Sequence, residues 1–245
     1  MRKFFVKNED IKDGIARING DDAHHIINVL RFKIGTKLII SDGKNQYVVS
    51  VIDIENSSVI LKIIEEYNQV VESPINITLY QGLPKSDKMD LIIQKCTEIG
   101  IKKIVPVETE FSTIKIKEKN IYNKINRWKK ISLEASKQSG RSIVPDVLMP
   151  VVFKDALESL NEFDLCLIPY EKETNMRLKD VLKNNFDAKN ICVFIGPEGG
   201  FSENEIMAAI EYGAIPVTLG PRILRTETAG IVTSSIILYE LGDLG

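Results

Sequence analysis

The sequence predicts an α/β protein in which a mostly parallel C-terminal sheet follows a small N-terminal β domain. Three observations carry this reading. From about residue 73 onward, short apolar runs alternate with helix-period patterns, as successive strand–helix units require. Upstream, residues 1–72 hold several short strand candidates separated by turn residues and only one helical pattern. Near the C-terminus, two buried-type apolar runs each stop at Gly-Pro and pass into a polar loop and then a helix.

In the first segment, residues 4–6 and 14–18 are short strand candidates. Asp21 or Asp22 is expected to cap a helix whose Ala23, Ile26, Ile27 and Leu30 recur at i, i+3, i+4 and i+7. Residues 37–40 lead to an Asp42-Gly43 turn, residues 47–54 follow, and an Asn56-Ser57-Ser58 turn precedes residues 59–64. Strands around one helix suggest a small antiparallel barrel, with the domain boundary between 69 and 74 where the period changes. The second segment, 73–245, opens with a strand at 76–80. Ser86 is then expected to cap a helix with Met89, Ile92, Ile93, Cys96 and Ile99 on one face, ending at Gly100. A strand at 104–107 follows, then a helix from about 120 whose Ile121, Ile125, Trp128, Ser132 and Ala135 form its packing stripe. A short helix at 153–160, a strand at 164–171, a helix at 177–184 and a strand at 191–195 come next. Ser202 with Glu205 reads as a capping box opening a helix that runs to Gly213. A strand at 214–219 and an apolar helix at 231–241 complete the chain.

The 245 residues are 44% hydrophobic and 27% charged, with a formal net charge of −2. That is ordinary globular composition, with no apolar run long enough for a membrane span and no signal-peptide core. Cys96, Cys166 and Cys192 sit in apolar stretches and read as reduced core thiols; His24 and His25 are the two histidines, so no His-rich zinc site is available. A metal-free, cytoplasmic protein is expected. Charge is unevenly spread: residues 112–141 hold nine Lys or Arg against two acids, Glu118 and Glu134. On the helix, Arg127, Lys130, Lys137 and Arg141 fall opposite the apolar stripe, which makes this face a candidate RNA contact.

The two Gly-Pro loops lie at the carboxyl ends of strands, where ligands bind in open α/β sheets. Gly199 and Gly200 allow a ligand to approach the backbone, and the second loop carries Arg225 and Glu227 among small residues. No G-x-G-x-x-G follows an early strand, and neither a P-loop nor a G-x-S-x-G elbow is present.

Ile195-Gly196-Pro197-Glu198-Gly199-Gly200-Phe201-Ser202, followed by Leu219-Gly220-Pro221-Arg222-Ile223-Leu224-Arg225-Thr226-Glu227-Thr228-Ala229, resembles the SPOUT class of knotted methyltransferases. The closest likeness is to the bacterial 16S ribosomal RNA uridine-N3 methyltransferases of RsmE type. This resemblance implies a PUA-like RNA-binding β-barrel over 1–72 and a SPOUT domain over 73–245, its last third tied in a trefoil knot. It also implies a homodimer and S-adenosylmethionine as cofactor. The implied cofactor-binding residues are Leu167, Ile168 and Pro169 from one loop, and Ile195, Gly196, Pro197, Glu198, Gly199 and Gly200 from the next. Leu219, Gly220, Ile223, Leu224, Thr228 and Ala229 supply the third. RKFFV and HHIINVLR fit the family's opening, which adds Arg2, Lys3 and Arg31 to Arg127, Lys130, Lys137, Gln138 and Arg141 as RNA-binding candidates.

Methylation at N3 of a uridine, nucleotide 1498 of 16S ribosomal RNA in the family, needs a donor at the uracil oxygens and a proton acceptor. Arg225 is the candidate donor. Glu227 or Glu198 is the candidate acceptor, and each has an alternative as a tie for loop amides. Two rivals stand beside this reading: a SPOUT methyltransferase acting elsewhere on ribosomal or transfer RNA, and a non-catalytic RNA-binding assembly factor.

Overall fold

The computed structural model describes residues 1–55, 57–115 and 120–245. Asn56 of the expected turn and Lys117, Glu118 and Lys119 of the basic segment lie outside the described residues. Two compact units emerge, Met1–Glu72 with Ser136–Val144, and Ser73–Ala135 with Pro145–Gly245.

The first unit is a six-stranded sheet built from β1 (Lys3–Phe5), β2 (Ile11–Lys12), β3 (Ile15–Ile18), β4 (Lys37–Ser41), β5 (Gln46–Glu55) and β6 (Ser58–Glu66). Their spatial order is β1-β4-β5-β6-β3-β2. The sheet is mixed where an antiparallel one was expected, because β1 runs parallel to β4 with Lys3 opposite Ile39. Leu38 and Ile40, Val49 and Val51, and Val59 and Leu61 point one way at spacing two and are fully buried with Phe4, Ile18 and Ile26. Register shifts at Val48/Val49 and Val51/Asp53 mark bulges in β5, which bend the sheet. The helix over this sheet, α1 (Gly20–His24), starts at Asn19 and not at an Asp cap. Asp21 and Asp22 sit in its first turn, and it continues as a π-helical turn over His25–Val29.

The second unit alternates strand and helix as the pattern implied. Its elements are β7 (Asn76–Gly82), α2 (Lys88–Ile99), β8 (Lys103–Glu108), α3 (Ile121–Ser139), β9 (Asp146–Val147), β10 (Val151–Val152), α4 (Phe153–Leu157), β11 (Leu165–Pro169), α5 (Leu178–Asn184), β12 (Asn190–Ile195), α6 (Glu203–Glu211), β13 (Ile215–Val217) and α7 (Thr226–Leu241). Every pairing in this sheet is parallel, in the order β10-β8-β7-β12-β11-β13 with β9 also on β8. Alternate residues of each strand therefore enter different cores. Ile77, Leu79, Ile104, Leu167, Ile191 and Val193 pack against Met89, Ile92 and Ile93 of α2, Ile125 and Trp128 of α3, Leu182 of α5 and Ile237 of α7. Tyr80, Val105, Ile168 and Phe194 face the opposite side, beneath Phe153 and Leu157 of α4 and Ile206 of α6. Phe194 stacks on Tyr80 at 4.4 Å between ring centroids. Cys96, Cys166 and Cys192 are free and buried.

The predicted stripe of α3 holds, with Ile121, Ile125, Trp128, Ser132 and Ala135 all buried. So does the capping box at Ser202, whose hydroxyl accepts from the Glu205 amide. Two helix starts differ from expectation. Ser86 adopts φ +55 and does not cap; α2 begins at Lys88 after Asp87, without a side-chain cap bond. The last helix begins at Thr226, five positions before its apolar run, so Glu227, Thr228 and Ala229 are helical and not loop residues. Thr and Gly are poor helix formers, and tertiary hydrogen bonds outweigh that local preference here. Thr226 Oγ1 donates to the Gly196 carbonyl at 2.6 Å and accepts from Gln81 Nε2 at 2.9 Å.

Candidate active site

The all-parallel sheet places the loops after β11, β12 and β13 at one edge. Register aligns them: Leu167 lies opposite Val193, and Pro169 opposite Val217. They enclose a cavity of about 920 Å³, within the usual range for small-molecule sites. Pro169, Ile195, Gly196, Pro197, Glu198, Gly199, Gly200, Leu219, Gly220, Ile223, Leu224, Arg225 and Ala229, all named from the sequence, line it.

Four other sequence candidates stand off the cavity wall. Leu167 and Ile168 are fully buried in the two cores. Glu227, partly buried, and Thr228, exposed, occupy the first turn of α7 and do not line the cavity.

The glycines have a more specific reason than open backbone. Gly200 adopts φ +69 as its amide donates to the Pro197 carbonyl at 2.9 Å, closing a turn that disfavours a side chain. A Cβ on Gly199 would come within 2.9 Å of the Phe111 Cβ, so the close neighbour there is a side chain of this protein.

Several wall residues were not among the cofactor-binding residues assigned from the sequence, although Tyr170, Arg222 and Thr226 lie in loops that it identified. Tyr170, Glu173, Thr174 and Arg177 extend the loop after β11. Arg222 joins the third loop, and Thr226 starts α7. Lys88, the first residue of α2, follows the turn after another strand, β7. Because β7 is hydrogen-bonded to β12 in parallel, the turn after it reaches the same edge. Sequence periodicity identifies β7 as a strand but cannot name its neighbour.

Lys88 Nζ lies 2.8 Å from Glu198 Oε1 and 3.5 Å from Glu227 Oε2. Glu198 also accepts from the Lys85 amide at 3.2 Å. Partial burial pushes the Glu198 carboxyl up, but Lys88 and the amides of Glu198 and Lys85 outweigh it and hold the group below the ordinary carboxylate value. The same contact raises the Lys88 ammonium. The wall thus combines apolar side chains (Ile195, Leu219, Leu224), backbone polar groups, the carboxylates Glu171, Glu173 and Glu198, and the cations Lys88, Arg177, Arg222 and Arg225. Among the described residues, no cluster of three or more His, Cys, Asp or Glu suits a metal, and no helix is long and apolar enough to cross a membrane.

The RNA-binding candidates divide by exposure. In the second unit, Arg127 and Lys130 are exposed on α3, with Arg127 shared between Asp90 and Asp87. In the first unit, Arg2, Arg31 and Gln138 are exposed, Arg31 at φ +52. The other three are held inside that unit. Lys3 is buried and donates to Gln46 Oε1 at 2.6 Å. Lys137 pairs with Asp22 at 2.6 Å. Arg141 is 4% exposed and clamps Glu72 at 2.6 Å. Helical-wheel position alone does not separate a solvated cation from one that folds back onto its own domain.

The RNA methyltransferase domain family matches residues 71–238, and the RNA methyltransferase PUA domain family matches residues 18–64. Ribosomal RNA small subunit methyltransferase E of Bacillus subtilis is 32% identical over 248 residues, spanning 98% of this chain and 97% of its own. The protein of that name from Buchnera aphidicola of Acyrthosiphon pisum is 35% identical over 227 residues, covering 92% of this chain and 88% of that one. The crystal structure of the Neisseria gonorrhoeae ribosomal RNA small subunit methyltransferase E bound to S-adenosyl methionine superposes with a TM-score of 0.90 at 31% identity, over 100% of both chains. With a PUA domain, an all-parallel sheet and a strand-end cavity, this chain belongs to the RNA methyltransferase family of ribosomal RNA small subunit methyltransferase E.

Proposed function

We propose that this protein transfers a methyl group from S-adenosylmethionine to N3 of a uridine in 16S ribosomal RNA, at the nucleotide the family modifies, 1498. The observation that carries the reading is the cavity formed by three strand-end loops at one edge of the parallel sheet. Its contents suit the cofactor: apolar strand-end side chains and backbone polar groups for an adenosine, and Glu171, Glu173 and Glu198 for a cationic methionyl end. When bound there, S-adenosylmethionine supplies an electrophilic methyl group.

The protein's own part follows from the acceptor. N3 lies on the Watson–Crick edge, so the uridine must be unpaired and turned into the site. Loss of its proton spreads negative charge over N3, O2 and O4. Arg225, exposed at the N-cap of α7 on the cavity wall, is the cation proposed to meet that charge. Glu198 and Glu227 are the carboxylates within the same neighbourhood. Arg2 and Arg31, and Arg127 and Lys130, are proposed to guide the RNA, since exposed basic side chains supply the non-specific part of such affinity. A cytoplasmic homodimer acting on 16S ribosomal RNA, with the knotted chain path implied by the resemblance, completes the proposal.

The test is nucleoside mass spectrometry of 16S ribosomal RNA from a strain lacking the gene, then treated with purified protein and S-adenosylmethionine. N3-methyluridine should be absent before treatment and appear after it. Methyl transfer to another nucleoside would refute the assignment of the acceptor.

A further inference from the structure

One ammonium on the cavity wall is shared by two carboxylates from different segments. Lys88 is the first residue of α2, Glu198 lies in the loop after β12, and Glu227 lies in the first turn of α7. Three separate segments therefore converge on Nζ, at 2.8 Å from Glu198 and 3.5 Å from Glu227. Both oxygens of Glu198 also accept from the Lys85 amide, at 3.2 and 3.3 Å. Glu227 Oε2 is buried without a complete hydrogen bond, so the charge of Lys88 is its compensation. Lys88 and Glu198 line the cavity and Glu227 does not.

A proton acceptor must reach the proton it takes. Glu227 does not line the cavity and its Oε2 is buried beside Lys88, and Glu198 is committed to an ammonium and an amide. We infer that Lys88 is a positioning residue that ties the turn after β7, the loop after β12 and the start of α7 into the binding arrangement, and that both glutamates act through it and not as proton acceptors. This rests on the methyl-transfer reading above. Without the ammonium, two carboxylates would face one another beside the cavity, and the loop would part from α7.

The experiment compares native protein with Lys88→Met, Lys88→Arg, Glu227→Gln and the Lys88→Met/Glu227→Gln double variant. S-adenosylmethionine affinity is read by calorimetry, and single-turnover methyl transfer is followed against pH at saturating cofactor. Lys88→Met should weaken cofactor binding on the order of tenfold, as expected for one partner of a half-buried charge pair, and Lys88→Arg should restore most of it. Glu227→Gln should keep the native pH profile, and the double variant should bind no worse than Lys88→Met alone. Loss of roughly 10²-fold in the single-turnover rate of Glu227→Gln at unchanged affinity would make that glutamate the acceptor and overturn the inference. Native affinity in Lys88→Met would overturn it too. If Lys88→Met does not fold, Lys88→Arg and Glu227→Gln still decide. Failure of the native protein to bind cofactor would refute the methyl-transfer reading itself, before any variant is made.

Discussion

Replacing Glu72 by Gln should unlatch residues 136–144 from the sheet of the first unit. Glu72 accepts from Arg141 Nη2 at 2.6 Å, from the Ser142 amide at 2.8 Å, and from the Ser142 hydroxyl and Ile143 amide at 3.1 and 3.2 Å. An amide of the same size would turn donors toward donors and leave a guanidinium that is 4% exposed without its counter-charge. Breaking a buried ion pair from one side costs ~3–5 kcal/mol, and the 23% exposure of Glu72 lowers this to about 2–4 kcal/mol. With a urea m-value of about 2 kcal/mol/M, the midpoint should fall by about 1–2 M. The single tryptophan, Trp128, sits in the core of the other unit, so its fluorescence is the wrong probe. Hydrogen exchange of peptides from β5 and β6, read by mass spectrometry across a urea series, reports the first unit directly. Burial pushes the Glu72 carboxyl up, but Arg141 and the amides of Ser142 and Ile143 outweigh it and hold the group below the ordinary carboxylate value. A depressed carboxylate stabilises the fold above its ordinary value and loses that contribution as pH falls through the folded value. The gap between native and Glu72→Gln should therefore be full at pH 7 and close as pH falls through the folded value. A gap that is the same at pH 7 and pH 3, or absent at pH 7, would refute the ion-pair account.

Three further outcomes follow from the site. Arg225→Ala should lower single-turnover methyl transfer by about 10²–10³-fold with cofactor affinity nearly unchanged, and Lys at that position should rescue only in part; loss of cofactor affinity instead would make Arg225 a clamp of the loop. Charge reversal of Arg127 and Lys130 should reduce the salt dependence of RNA binding by roughly 0.7–0.9 in log–log slope per lost phosphate contact, as measured by filter binding over a salt series. Gly199→Ala should weaken S-adenosylmethionine binding through its clash with the Phe111 Cβ, so adding Phe111→Gly, which removes that atom, should restore affinity in calorimetry; failure to restore it would mean that a ligand and not Phe111 occupies the space.

Much of the fold was legible because its signals are local. A strand buried on both faces is a continuous apolar run, as in residues 191–195, and a helix on such a sheet shows an apolar stripe, as in α3. The capping box at Ser202 is equally local, since its reciprocal bonds span three residues. These patterns were enough to predict the strand-end loops, while most of the cavity-lining residues named in advance came from the family resemblance. They failed where a distant partner decides the outcome. Thr226 begins α7 because Gly196 and Gln81 meet its hydroxyl, and nothing near Thr226 in sequence encodes those contacts. The wheel of α3 sorted cations from apolar residues but could not distinguish Lys130, exposed to solvent, from Lys137 and Arg141, which return to Asp22 and Glu72. Lys88 entered the site only because β7 pairs with β12, a neighbour more than a hundred residues away in sequence. Sequence by itself determined which segments are strands, helices and loops, because backbone sterics and the periodicity of burial act over a few residues. Tertiary structure alone decided which loops share an edge and which charges are neutralised, because strand order and ion pairing depend on residues brought together only by folding.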